Sequence, residues 1–290
     1  MRLLITGAKG QLGTELVRLG SGHKLLAVGH DQLDITDASV VIDFIDEFQP
    51  DAVINAAAYT AVDRAESDKD AAFAVNRDGP ANLARACECH AIPLIHISTD
   101  YVFDGSKPGA YVEGDHVSPL GVYGQSKLAG EQAVQALCSR FIVLRTSWVF
   151  STVGNNFVIT MLRLGAERDE LGIVADQQGC PTAAAELARA IYAVLNVDLD
   201  NVTWGVYHFC QPEPTTWFGF AESIFAGAKE EGMDMKVSKL TAIATSDYPT
   251  PAKRPVNSQM DCTSFSQVFG YTIKPWAESL NEVIKELKNG

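Results

Sequence analysis

The chain lacks any run of about 18 uninterrupted apolar residues, the length a membrane-spanning helix needs. Its first residues pass straight into Arg2-Leu3-Leu4-Ile5, without the charged n-region and cleavage site of a secretory leader. The expectation is a soluble, cytoplasmic protein with no membrane partner. Basic residues are in deficit, 23 Lys and Arg against 36 Asp and Glu, for a formal net charge of −13. That excludes nucleic acid as a general partner, because phosphate backbones call for a basic surface; an anionic small molecule remains open through local positive groups. Cysteine is sparse and scattered, at 87, 89, 138, 180, 210 and 262. Its only close pair is a Cys-x-Cys on an expected helix, which suits neither a zinc knuckle nor a redox Cys-x-x-Cys. The six read as buried thiols in a reducing compartment. Internal repeats and low-complexity segments are also missing.

What is present is alternation. With 47% apolar and 20% charged residues, 290 positions suffice for a full hydrophobic core. Apolar runs at 3–6, 24–28, 52–55, 94–98 and 141–144 read as buried strands, and helical patterns fall between them at 11–19, 39–49, 68–90 and 126–138. Continuous apolar strands separated by helices predict an α/β fold, a doubly wound parallel sheet covered on both faces. Beyond about residue 150 the alternation weakens and prolines gather, at 181, 212, 214, 249, 251 and 255. The expected division is therefore a dinucleotide-binding domain over 1–150 and a smaller, mainly substrate-binding lobe over 151–290. Some elements of that lobe could return to the sheet.

Directly after the first strand comes a Gly-x-x-Gly-x-x-Gly loop, Gly7, Gly10 and Gly13, which enters a helix through Gln11 and Leu12. Glycine permits the tight turn and the close approach of backbone amides to a pyrophosphate, whose charge the helix N-terminus favours. Such turns also join strands to helices without a ligand; the predicted strand before and helix after favour dinucleotide binding. The second strand ends near Asp31, and an acidic group about 20 residues past the loop commonly accepts from the adenosine ribose. Asp34 and Ile35 follow, in a stretch that also reads as a turn and cap for the next helix. Lys9 could face a 2′-phosphate, so NADH and NADPH both remain open. After Asn55, the small residues Ala56, Ala57 and Ala58, then Tyr59, would let backbone lie close to a flat ligand, or simply pack tightly.

Thr99 lies at a strand's carboxyl end, where doubly wound sheets keep their active sites, and Asp100 and Tyr101 follow it. Further on stand Tyr123 and Lys127, four apart and therefore on one helix face. A nearby ammonium stabilises phenolate and lowers a tyrosine pKa from about 10, which makes Tyr123 a proton donor for a carbonyl. Thr99 alone would be a strand-end cap. Hydroxyl, phenol and ammonium beside a nicotinamide are the parts needed to reduce a ketone.

On these motifs the chain resembles the extended short-chain dehydrogenase/reductase superfamily and, within it, the dTDP-4-dehydrorhamnose reductase family. The resemblance spans nearly the whole chain and rests on residues 6–13, 33–36, 55–63, 98–105 and 123–127, then 144–150, 176–182 and 254–257. It implies NAD(P)H-dependent reduction of a dTDP-linked 4-keto-6-deoxy sugar by Thr99, Tyr123 and Lys127. Related sugar-nucleotide dehydratases carry Glu after Thr-Asp, as the base for water elimination; here that position is Tyr101, which disfavours elimination. The resemblance also implies that Trp148 packs on the sugar nucleotide, unless it is a core tryptophan, and that Arg254 offers its fork-shaped donors to the diphosphate, unless it belongs to a surface ion pair. Residues 176–182 would form part of the substrate loop. Members of the family bind Mg²⁺ through glutamates at a homodimer contact, and Glu15 and Glu186 stand where two of these would fall. Ordinary exposed helix glutamates are the simpler reading, so metal and dimer stay open. An epimerase, a reductase of another nucleotide sugar, and a noncatalytic regulatory subunit of the same fold are the competing readings.

Overall fold

The computed structural model describes residues 1–289. Its longer strands are β1 (Arg2–Thr6), β2 (Lys24–Val28), β3 (Ala52–Asn55), β4 (Leu94–Thr99), β5 (Phe141–Thr146), β6 (Glu170–Val174), β7 (Gly205–His208) and β8 (Lys239–Ile243). Its longer helices are α1 (Gln11–Leu19), α2 (Ala38–Phe48), α3 (Gly79–Cys89), α4 (Val122–Leu137), α5 (Phe157–Glu167), α6 (Ala184–Asn196), α7 (Trp217–Glu230), α8 (Thr263–Phe269) and α9 (Trp276–Asn289).

Six of the strands form one parallel sheet in the order β7-β5-β4-β3-β1-β2. Side chains alternate between its faces, and both faces are covered. Leu3 and Ile5 pack with Leu12, Leu16, Leu187 and Ile191 from α1 and α6, while Leu4 and Val53 pack with Val41, Ile45, Leu83 and Val134 from α2, α3 and α4. Burial on both sides is why these strands read as unbroken apolar runs. The chain winds outward in opposite directions from β1, to β2 on one side and β3 on the other, so a crevice opens at their carboxyl ends.

The region after residue 150 is divided. α6, β7 and α8 return to the main sheet, with Gly205–His208 paired to Ile142–Arg145 of β5 and Phe265 and Phe269 of α8 packed in its core. The remainder forms a separate core of α5, α7 and α9 around Phe150, Phe220, Ile224 and Ile284, flanked by the parallel pair β6 and β8. Polar side chains start its helices: Asn156 accepts from the Ile159 amide and Thr216 from the Gly219 amide.

The stretch expected as one helix over 68–90 is interrupted. Short α-helical residues Lys69–Phe73 pass into a π-helical turn, Ala74–Asp78, before α3 begins. Pro80 explains the break, since it has no amide to give to the carbonyl four residues back, that of Asn76. Gly130 of α4 presses on that carbonyl; a Cβ there would sit 2.0 Å from it. The widened turn aims Asn76 at the site described next.

Candidate active site

The crevice begins at the glycine loop. Gly7 adopts φ +69°, and a Cβ on it would lie 2.5 Å from the Ala57 nitrogen, so only glycine lets the first turn rest on the chain leaving β3. A Cβ at Gly13 would lie 2.2 Å from the Gly7 carbonyl oxygen, whereas one at Gly10 would meet only that oxygen, at 3.3 Å. Gly10 thus faces the open side of the loop. It also caps α1 without any side-chain hydrogen bond, so side chains leave the first amides of the helix free for an anion. These features fit a dinucleotide pyrophosphate.

Several residues expected at the cofactor have other employment for their side chains. Leu12 and Ile35 are core residues. Gln11 turns away toward the second core, where its Oε1 accepts from Ser151 Oγ and Asn156 Nδ2, both at 3.0 Å. Asp34 closes a local turn by accepting from the Thr36 amide and hydroxyl. The backbone groups of these four, with Gln11 Nε2 and Asp34 Oδ2, are what remains to serve a cofactor. Asp31 sits at the rim, exposed, but Lys9 Nζ lies 2.8 Å from its carboxylate. The two groups expected to choose between ribose and 2′-phosphate therefore engage each other. Ala56, Ala57 and Ala58 form a half-exposed strip of small side chains beside the loop. Tyr59 is fixed by Asn76, whose side chain accepts from the Tyr59 amide (2.8 Å) and donates to its carbonyl and to Ser126 Oγ (both 3.0 Å).

At the other end of the crevice, β4 delivers Thr99 and the first turn of α4 delivers Tyr123. The Thr99 hydroxyl donates to Asp100 Oδ1 at 2.9 Å and accepts from the Tyr101 amide at 3.2 Å. Burial pushes the Tyr123 phenol up to about 12, against the opposing effect of its contact with Thr99. Lys127, one turn on, is 2% exposed and donates to the Ile97 carbonyl at 2.5 Å. Burial lowers its pKa to about 8, with Glu131 working the other way. The expectation that Lys127 lowers the Tyr123 pKa is therefore not met here: burial dominates the phenol, and the ammonium is committed to a backbone carbonyl. Tyr123 holds its proton at neutral pH.

Asp100, expected to touch substrate, instead points inward. It is 2% exposed, and burial raises its carboxyl to about 6 despite contacts with Ser258 and Thr99. Tyr101 does face the site, packed edge-on to Tyr123 with ring centroids 5.4 Å apart, and burial raises its phenol pKa as well. Arg254 lies beside Tyr101 but forms an ion pair with Asp63, 2.9 Å away, in a half-buried setting. It was expected to be free for a diphosphate, and here one carboxylate already takes its fork. Trp148 adopts φ +47° and stacks on Trp217 at 3.5 Å with 8° between the planes. Gly179 lies beneath it, since a Cβ there would be 2.5 Å from Trp148 Cε2. Trp148 thus joins β5 to the 176–182 loop on the side of the second core.

Asn76, Trp217 and Asp63 escaped the sequence reading. Asn76 had a signal, Pro80 inside a helical pattern; the other two meet their partners only through the fold. A buried pair also backs the catalytic strand: Arg145 and Glu131 are 2.7 Å apart, and Ser98 donates to Glu131.

The glutamates considered for a metal do not suit one within this chain. Both are buried rather than exposed. Glu15 is paired with Arg18, and Glu186 with Arg189 (3.0 Å) and the Tyr271 hydroxyl (2.7 Å). Among the described residues, no group of three or more His, Cys, Asp or Glu side chains is arranged to hold a metal. No helix of the described residues is long and apolar enough to cross a membrane.

The whole chain is similar to known proteins. The family model described as RmlD substrate binding domain matches residues 1–289. A dTDP-4-dehydrorhamnose reductase of Aggregatibacter actinomycetemcomitans is 45% identical over 287 residues, covering 97% of this chain and 98% of its own. The crystal structure of a dTDP-4-dehydrorhamnose reductase from Clostridium acetobutylicum superposes with a TM-score of 0.93 at 38% identity, over 99% of this chain and 100% of that one. A Bacillus anthracis dTDP-4-dehydrorhamnose reductase in complex with NADP gives 0.91 at 37% identity, over 98% and 99%. Full-length likeness at such identity, in both sequence and fold, places this chain in the dTDP-4-dehydrorhamnose reductase family.

Proposed function

We propose that this chain reduces the 4-keto group of dTDP-4-dehydro-L-rhamnose to the alcohol of dTDP-L-rhamnose, using NADPH or NADH. The observation that carries the proposal is the pairing of a protonated Tyr123 with Thr99 at the carboxyl end of β4, where Tyr101 stands in place of a carboxylate. The bound dinucleotide supplies the hydride. As charge builds on the keto oxygen, Tyr123 gives up its proton and the Thr99 hydroxyl swings from Asp100 to donate to the same oxygen. Lys127, held by Ile97 in the empty crevice, would turn to the nicotinamide ribose when the dinucleotide binds and only then support the phenolate left after transfer. Elimination of water would need a base for a carbon-bound proton, and the raised pKa of Tyr101 keeps it a neutral phenol.

The amides of the glycine loop bind the pyrophosphate, and the strip from Ala56 to Ala58 lies against the dinucleotide. Cofactor choice rests on the Lys9–Asp31 pair. With Lys9 turned aside, Asp31 accepts from a ribose; with Asp31 turned aside, Lys9 meets a 2′-phosphate. The relative in complex with NADP supports the second mode for the family fold. For the substrate, Arg254 would exchange Asp63 for the diphosphate, and Trp148 on its Trp217 platform would support the sugar or base. NAD(P)H oxidation measured with dTDP-4-dehydro-L-rhamnose, beside a 4-keto-D-sugar, tests the proposal. Turnover of the L-sugar alone is expected; turnover of neither would favour a noncatalytic role for this fold.

A further inference from the structure

Three of the cysteines that look scattered in the sequence converge. Cys210 follows β7, Cys262 precedes α8, and Cys180 closes the 176–180 loop. The Cys210 and Cys262 sulfurs are 3.6 Å apart, and the Cys210 amide donates to Cys262 Sγ at 3.2 Å. Cys180 is a third thiol beside Cys210 in the same buried cluster, with Met260. Cys180 and Cys210 are almost fully buried, whereas Cys262 is partly exposed.

The pair lies in the wall of a cavity of about 530 Å³, lined further by Pro212, Met260, Ser266, Tyr271 and Ile273. That volume is in the range of small-molecule sites. No residue assigned above to the dinucleotide or to the keto sugar lines it. The other three differ: Cys87 and Cys138 are sealed together in the core, and Cys89 is exposed.

We propose that Cys262 and Cys210 form a reversible dithiol site at this cavity, oxidised to a disulfide by a low-molecular-weight disulfide of the glutathione type. Closing the sulfur–sulfur gap to the bonded distance of about 2.05 Å calls for an approach of about 1.5 Å, within reach of side-chain rotation and a small loop adjustment. Cys262 reacts first. It is the thiol open to the cavity, and the Cys210 amide donates to its sulfur. Hydrogen bonds to the neighbouring thiols, together with burial, hold the Cys210 thiol well above its ordinary range, so it stays protonated at that stage.

The Cys262 thiolate, its proton lost to solvent, attacks one sulfur of the small disulfide. The small S–S bond breaks, a mixed disulfide forms at Cys262, and one small thiolate leaves and is protonated. Cys210 then loses its proton and attacks the Cys262 sulfur, which expels the second small thiolate. Two electrons pass from the protein pair to the reagent, and two small thiols are released. The product ties the segment after β7 to the segment before α8.

Native full-length protein is treated with oxidised glutathione, alkylated, and analysed by intact mass and peptide mapping. A loss of two hydrogens with a Cys210–Cys262 cross-link, reversed by dithiothreitol, is expected. Cys210→Ser should stop at one glutathione adduct on Cys262, and Cys180→Ser should still form the cross-link. No cross-link in the wild-type protein under conditions that modify Cys89 would overturn the proposal, whatever the variants do. Pairing of Cys210 with Cys180, or Cys210 forming the first adduct in Cys262→Ser, would overturn it too.

Discussion

Lys127 should make the protein more stable as the solution becomes alkaline, which is opposite to the usual effect of losing a positive charge on an acidic protein. Its folded pKa is about 8 against a reference of 10.5, because the ammonium is buried. Below pH 8 both the folded and unfolded chains carry the proton, and the folded state bears the full desolvation penalty. Between 8 and 10.5 the unfolded chain binds more protons than the folded one, so stability rises with pH across that window. At about 1.4 kcal/mol per pKa unit, the shift corresponds to a gain of about 3 kcal/mol from pH 7 to the top of the window. Lys127→Met keeps most of the side-chain volume and removes the titration. It also leaves the Ile97 carbonyl without its donor, a loss of about 1–3 kcal/mol that does not vary with pH. The pH dependence of the difference between the two proteins is therefore the diagnostic quantity. Urea unfolding of both proteins at a series of pH values from 7 to 10.5 measures it, and every group other than Lys127 cancels. A wild-type advantage growing by about 3 kcal/mol toward high pH is expected. Parallel stability curves would refute the buried, pKa-depressed state of Lys127 and remove the basis for placing a charge behind Tyr123.

Tyr123→Phe removes only a hydroxyl, so NAD(P)H affinity by calorimetry should persist while kcat with the keto sugar falls by roughly 10²-fold or more; wild-type turnover would point to another acid. Asp31→Ala frees Lys9 and should shift the ratio of catalytic efficiencies toward NADPH, and a shift toward NADH would show that Asp31 does not meet the ribose. Gly10→Val should stay folded with weakened cofactor binding, whereas Gly13→Ala, whose Cβ would clash with the Gly7 carbonyl, should lower the thermal midpoint even without cofactor. Equal midpoints for Gly13→Ala and wild type would contradict the tight packing inside the loop.

What the sequence disclosed follows the range of the forces involved. β1, β2 and β3 fall within a residue of their apolar runs, and α1 matches its pattern, because burial on both sheet faces and one amphipathic face leave local signatures. The glycine loop and the spacing of Tyr123 and Lys127 were likewise readable, since backbone conformation and helix periodicity are local. β7 was not: four residues at the end of a weakly patterned region pair with β5 only because α6 carries the chain back over α1. Pairings were the least legible. Arg254 finds Asp63 across 191 positions, Ala183 finds Gln211 across 28, and Cys210 finds Cys262 across 52.

The same distinction separates the two halves of the site. Residues proposed to perform the proton transfer sit on rigid local frames, a strand end and a helix turn, so short motifs point to them. Residues that would choose the substrate and cofactor, Arg254, Trp148, Lys9 and Asp31, are each occupied by a partner brought in by the fold. In the proposed binding modes, substrate and cofactor displace Asp63 and split the Lys9–Asp31 pair. Both pairs are at least partly open to solvent, where an ion pair contributes only about 0–1 kcal/mol. A bidentate phosphate or ribose contact can therefore replace either one. The ion pairs keep these charges satisfied in the empty crevice without holding them so tightly that the ligands are excluded.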